Sequence, residues 1–267
     1  TCALPISTLA SSTTNAGTAT ITSSVSGLTA TNYNFVTGSN AILTINKANL
    51  TITANSTSKT YGQTLTFAGS EFGTSGLVNS DSVTSVTLTS AGAAATATVV
   101  GSPYDIVPSA SPAAVLNNYT TTYVNGSLTV NPKALTITAN STSKTYGQSL
   151  TFLGTEFTSS GLVSANGDTV TSVTLTSSGA AATATVVGSP YTITPSAAVG
   201  NGLSNYTITP VNGTLTVNKA NLTITANDRT KTYGDAVTFA GTEFTTSGLV
   251  NSDSVTSVTL TSAGAAA

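Results

Sequence analysis

The hexapeptide Leu50-Thr51-Ile52-Thr53-Ala54-Asn55 returns as Leu135 to Asn140 and again as Leu222 to Asn227. The copies begin 85 and then 87 residues apart. A period this long means an array of similar units, and it constrains the fold before any single residue does. The two extra residues have a visible source. Where one copy carries Asn79-Ser80-Asp81-Ser82, the next carries Ser164-Ala165-Asn166-Gly167-Asp168-Thr169. A Gly/Asn/Ser/Asp cluster reads as a surface turn, which tolerates insertion. Downstream the register holds: Ser102-Pro103-Tyr104 matches Ser189-Pro190-Tyr191, and Asn125-Gly126 matches Asn212-Gly213.

Two complete units therefore run over 47–132 and 133–218. Residues 1–46 hold the back half of an earlier unit, and 219–267 the front half of a later one. The chain reads as an internal fragment of a longer protein. The opening Thr1-Cys2-Ala3-Leu4-Pro5-Ile6 resembles the translation of a sequencing adapter, which sets residues 1–6 apart from the repeats. No flexible Gly/Ser or Pro-rich stretch separates the units. Thr216 to Ile224 reads as a last strand passing into a first one, which predicts a stiff joint.

Within a unit the apolar period is two. Leu50 and Ile52 alternate with Thr51 and Thr53, Leu65 and Phe67 with Thr64 and Thr66, and Val86 and Leu88 with Thr87 and Thr89. Tyr104 and Ile106 share a face, as do Leu128 and Val130. β-branched Thr on the other face favours strands without needing charge. Asn125-Gly126 between two such runs is a strong hairpin signal. The pattern predicts about seven short strands per unit, separated by turns, as in a β-sandwich. The fold class is all-β: a tandem array of small Ig-like β-sandwich repeats. A β-grasp is the alternative, with a helix somewhere in 70–85 or its copies, but Gly76, Asn79 and Ser80 are poor helix residues.

Composition removes several function classes. Charged residues make up 6% of the chain, against about 25% in an average globular domain. The net charge is −2. With no His and one Cys, neither a Cys/His zinc site nor a Ser-His-Asp or Cys-His centre can be assembled, and no disulfide framework exists within one chain. Seven basic residues spread over the length form no patch for nucleic acid. No apolar run is long enough to span a membrane as a helix. No enzyme activity and no cofactor are expected.

Certain short motifs recur in fixed order. Lys59-Thr60-Tyr61-Gly62 returns as Lys144-Thr145-Tyr146-Gly147 and Lys231-Thr232-Tyr233-Gly234. Gly76-Leu77-Val78 returns as Gly161-Leu162-Val163 and Gly248-Leu249-Val250, each followed by an Asp. Asn118-Tyr119 returns as Asn205-Tyr206, ahead of Asn-Gly and a closing alternating strand. This set resembles the MBG domain of the YGX type, found in tandem in very large bacterial surface proteins, including adhesins. The resemblance implies a surface-exposed, extracellular structural repeat. It supplies no catalytic residues. Lys59, Tyr61, Gly62, Lys144, Tyr146, Gly147, Lys231, Tyr233, Gly234, Tyr119 and Tyr206 are its structural motif positions.

Three readings of the recurring polar residues stand beside one another. Lys59, Lys144 and Lys231 recur with Glu71, Glu156 and Glu243. They could form a Lys–Asn amide crosslink through Asn55 or Asn118, or merely a weak surface Lys–Glu pair. Asp228 and Asp235 could contribute to a Ca²⁺ site, but the other copies carry no matching acids. The tyrosines Tyr61, Tyr146 and Tyr233 could line a sugar-binding surface, or pack under a turn. The reading that follows is a stalk or spacer at a bacterial cell surface, holding a distal region away from the cell. Its partners are neighbouring repeats. The alternative is a module that itself binds host glycan or matrix protein, gaining avidity from repetition.

Overall fold

The computed structural model describes residues 11–109 and 114–267. Residues 1–6, set apart above, lie outside the described residues. The chain divides into two compact units, Thr1–Lys133 and Ala134–Ala267.

In the first unit, β1 (Gly17–Ile21) and β2 (Ala41–Ile45) form an antiparallel pair. A complete seven-stranded repeat follows: β3 (Ala48–Ala54), β4 (Thr57–Thr60), β5 (Phe72–Ser75), β6 (Thr87–Thr89), β7 (Tyr104–Ser109), β8 (Tyr119–Val124) and β9 (Gly126–Asn131). They make two sheets, ordered β5-β3-β8 and β4-β9-β7-β6. β3 runs parallel to β8, and β4 runs parallel to β9; the other pairs are antiparallel. Alternation places Leu50, Ile52 and Ala54 of β3 on the inner face of one sheet, against Leu88, Ile106 and Leu128 of the other. Leu50, Ile52, Ile106 and Leu128 are almost wholly removed from solvent, each stabilising the sandwich by about 1.5–3 kcal/mol.

The second unit repeats this plan. Its strands are β10 (Lys133–Ala139), β11 (Thr142–Thr145), β12 (Phe157–Ser160), β13 (Thr169–Thr176), β14 (Tyr191–Asn201), β15 (Tyr206–Val211) and β16 (Gly213–Asn218). The sheet orders are β12-β10-β15 and β11-β16-β14-β13. Leu135, Ile137, Ile193 and Leu215 occupy the core positions of their counterparts. A final antiparallel pair, β17 (Thr223–Ala226) and β18 (Phe244–Ser247), matches β3 and β5.

Among the described residues the helices are 3-10 turns of three to five residues. The stretch 70–85 holds β5 and a turn, so the helix of a β-grasp is not there. The array is all-β.

Two local expectations are corrected. Asn125-Gly126 does not close a hairpin, because β8 and β9 lie in different sheets. The chain crosses between layers at this point, and Gly126 lies against β3: a Cβ there would stand 2.6 Å from the Ala54 carbonyl oxygen. Leu65 and Phe67 pack against the core but join no ladder; the Leu65 N–H donates instead to the Ala93 carbonyl at 2.8 Å. Thr216 to Ile224 leads from the last strand of one copy to the first of the next, with β16 ending at Asn218 and β17 beginning at Thr223.

Candidate functional site

Lys59 and Lys144 stand next to last in the short strands β4 and β11, which run parallel to the last strand of each complete repeat. That register places Lys59 opposite Val130 and Lys144 opposite Val217. Both side chains turn inward and are buried. Lys59 Nζ donates to the Gln63 carbonyl at 2.7 Å and to the Ala94 carbonyl. Lys144 Nζ donates to Gln148 at 2.7 Å and to the Ala181 carbonyl. Each ammonium thus pins the turn after its own strand to the alanine-rich loop. Burial pulls the Lys59 ammonium below the usual lysine range. Lys231 makes the same two kinds of bond, to Asp235 and Ala266, but is exposed.

The recurring glutamates do not pair with these lysines. Glu71 folds back on its own loop and accepts from the backbone N–H groups of Ala68, Gly69 and Ser70, at 2.9, 2.9 and 3.0 Å. Glu156 does the same with Leu153, Gly154 and Thr155, and Glu243 with Ala240, Gly241 and Thr242. Three successive N–H groups form a nest for an anion. Their bonds, led by the one from Ala68, Leu153 or Ala240, hold each carboxyl below the usual range. The surface Lys–Glu pair is therefore replaced by two separate contacts with backbone. Among the described residues the ion pair is Arg229 to Glu243, at 3.4 Å.

The same contacts bear on the crosslink and metal readings. Carbonyl oxygens, not a side-chain amide, surround Lys59 Nζ. Asn118 is engaged elsewhere: its Oδ1 accepts from the Ala16 N–H at 2.9 Å, and its Nδ2 donates to Asn15 Oδ1 at 3.0 Å. Among the described residues no three His, Cys, Asp or Glu side chains converge as metal ligands.

Tyr119 and Tyr206 are buried. The Tyr119 hydroxyl donates to Asp81 Oδ2 at 2.7 Å and accepts from the Val78 N–H at 2.9 Å. Tyr206 bonds Asp168 Oδ2 at 2.6 Å and the Val163 N–H at 2.7 Å. The Asp of the Gly-Leu-Val motif is thus more than a turn former. The pairing went unread in the sequence, though the separation of 38 residues is the same in both copies.

The Tyr-Gly pairs behave differently from copy to copy. Tyr61 is 3% exposed and Tyr146 is half-buried, while Tyr233 is fully exposed. All three glycines have positive φ: 84° at Gly62, 88° at Gly147 and 88° at Gly234. Val250 lies directly over Gly147.

These three copies of one arrangement can be placed among known proteins. A family model for the MBG domain (YGX type) matches residues 50–129, 135–216 and 222–267. The chain belongs to this family. Nothing among the curated proteins or the solved structures matches it. The motif positions of the MBG domain resolve into three devices: a lysine pin, a glutamate-filled nest and a tyrosine–aspartate bond. Each ties one segment of an MBG copy to another. In the two complete copies Lys59, Lys144, Glu71 and Glu156 each meet backbone groups of their own copy. No described helix is long and apolar enough to cross a membrane.

Proposed function

We propose that these MBG copies act as a structural, non-catalytic spacer in an extracellular or surface-attached bacterial protein. Their task is to set a distance between an anchor and a distal functional region. The observation that carries this reading is where the recurring polar residues go. In both complete copies the motif residues Lys59 and Lys144, Glu71 and Glu156, Tyr119 and Tyr206, and Asp81 and Asp168 find partners inside the copy itself. What recurs is scaffold, and about half of the residues that face solvent are Thr and Ser.

Exposed aromatics argue the same way against the alternative, a module that holds glycan or matrix protein. Tyr123 is exposed, but its counterpart in the next copy is Pro210. A repeated binding surface would repeat its aromatic platform.

Small-angle scattering on chains with one, two and three complete copies tests the reading. A compact copy of about 85 residues has a radius of gyration near 12 Å and spans roughly 30–40 Å. The maximum dimension should grow by about that amount per copy. Growth as the cube root of mass would contradict a spacer. Saturable binding of the chain to a glycan array or to matrix protein would favour the adhesive alternative.

A further inference from the structure

We infer that the turn following the Gly-Leu-Val motif is a docking element, and that its partner is the Tyr-Gly loop and the adjoining alanine-rich loop of the preceding MBG copy. This goes beyond the spacer reading and holds equally for an array that binds a ligand.

The turn is built at a cost. In Val250-Asn251-Ser252-Asp253, two successive non-glycine residues take positive φ, 53° and 65°. Val78-Asn79-Ser80-Asp81 does the same at 55° and 62°. Each turn is closed by the Asp N–H donating to the Val carbonyl at 2.9 Å. Asn accepts this backbone readily, but Ser does not. Strain kept in two copies calls for a compensating contact.

The contact lies outside the copy that owns the turn. Asn251 Nδ2 donates to the Ala182 carbonyl at 2.9 Å. Asn79 Nδ2 donates to the Ser12 carbonyl at 2.7 Å. Both acceptors belong to the loop leading toward the strand that pairs with the last strand of the earlier copy, β14 in one case and β1 in the other. A carbonyl oxygen has two lone pairs. At Ala182 one is taken by the Gly147 N–H at 3.2 Å, the other by Asn251. One oxygen therefore joins the Tyr-Gly loop, the alanine loop and the incoming turn.

Apolar fit accompanies the bond. A Cβ on Gly147 would stand 2.6 Å from Val250 Cγ2 and 2.8 Å from Val250 Cβ. Gly234 shares the φ of Gly147, +88°, yet a Cβ there would meet nothing within 4 Å. Tyr233 beside it is fully exposed, whereas Tyr146 is half-buried. The two loops match in backbone and differ in whether a following turn covers them. The glycine of the Tyr-Gly motif thus provides the surface on which the next copy's valine rests. By the same rule, the loop at Tyr233–Gly234 is an acceptor for the Val-Asn turn of a further MBG copy.

Hydrogen exchange on the full chain, read by mass spectrometry, separates docking from local turn formation. Asn251→Gly keeps or eases the positive φ while deleting the amide donor. Exchange in peptides 144–150 and 180–188 should rise by about threefold to tenfold, the span of one net hydrogen bond. Peptide 191–201 in β14 should not change. Gly147→Ala should give the same local rise, and Gly234→Ala, with an equal backbone cost and no neighbour, should leave those peptides unchanged. If Gly147→Ala loosens peptide 191–201 as well, the copy itself is disturbed and Asn251→Gly alone decides. Unchanged exchange over 144–150 and 180–188 in Asn251→Gly overturns the proposal.

Discussion

Tyr206 donates its hydroxyl hydrogen to Asp168 Oδ2 over 2.6 Å, beneath the turn that carries the two-residue insertion. The partners are 38 residues apart, as are Tyr119 and Asp81. The valine whose N–H meets the same hydroxyl lies 43 residues from Tyr206, but 41 from Tyr119. The insertion therefore falls wholly between valine and aspartate, and the bond below survives it. Asp168 is 5% exposed, so removing its donor leaves a buried carboxylate short of a partner. Tyr206→Phe should destabilise the second copy by about 1–3 kcal/mol. Urea unfolding should show this, with a smaller loss in Tyr119→Phe, because Asp81 is less buried.

The lysine pin gives a graded series. Lys59→Met keeps the aliphatic stem and removes the donor shared by the Gln63 and Ala94 carbonyls. A loss of about 1–3 kcal/mol is expected, with a similar one for Lys144→Met. Lys231→Met should cost much less, because Lys231 is exposed and water replaces its bonds. Thermal unfolding of the three variants should rank them in that order.

Acid should weaken the glutamate nests. Each carboxyl is held below its ordinary value in the folded chain. A depressed folded pKa gives stability that is present above the unfolded value, about 4.3 for Glu, and is lost as pH falls through the folded one. Stability should be flat from pH 7 to about pH 5 and decline below it. Urea midpoints across this range, in Glu71→Gln and Glu156→Gln beside the parent chain, check the assignment. The variants should be weaker at neutral pH and show a shallower acid slope.

Gly126 tests the layer crossing. Its Cβ would lie 2.6 Å from the Ala54 carbonyl oxygen, and that of Gly213 2.5 Å from the Ala139 oxygen. Both obstacles are backbone, so the strands must separate to admit a methyl group. Gly126→Ala should lower the melting temperature by at least about 4 °C, the shift that 1 kcal/mol produces in a domain of this size. Gly38→Ala, with nothing within 4 Å, serves as the neutral control.

The alternation of Leu50, Ile52, Leu128 and Val130 with Thr and Ser made the strands legible, because burial of one face is written at a period of two. Asn125-Gly126 misled for a physical reason. The dipeptide reports local backbone preference, whereas sheet membership is decided by which neighbours cover the apolar faces of β8 and β9. Leu65 and Phe67 show the same limit: alternation reveals a buried face but not a ladder partner. At the motif positions, opposite charges suggested that Lys59 would meet Glu71. Their real partners are backbone carbonyls and N–H groups, which every residue carries and no sequence distinguishes. The Tyr–Asp bond left no trace of its own: both partners lie downstream of the insertion, where every residue keeps its spacing, so the constant 38 residues did not single the pair out.

The parallel pairing of β4 with β9 has a mechanical consequence. A chain under tension is drawn from the start of β3 and the end of β9. Because β4 follows β3 and runs alongside β9 in the same direction, the opposed forces slide the two strands past each other. The ladder from Thr57 opposite Leu128 to Thr60 opposite Asn131 then bears load as a set, where a hairpin pulled open at its free ends would yield one bond at a time. An MBG copy is accordingly fastened in shear along the direction in which its neighbours would tug it.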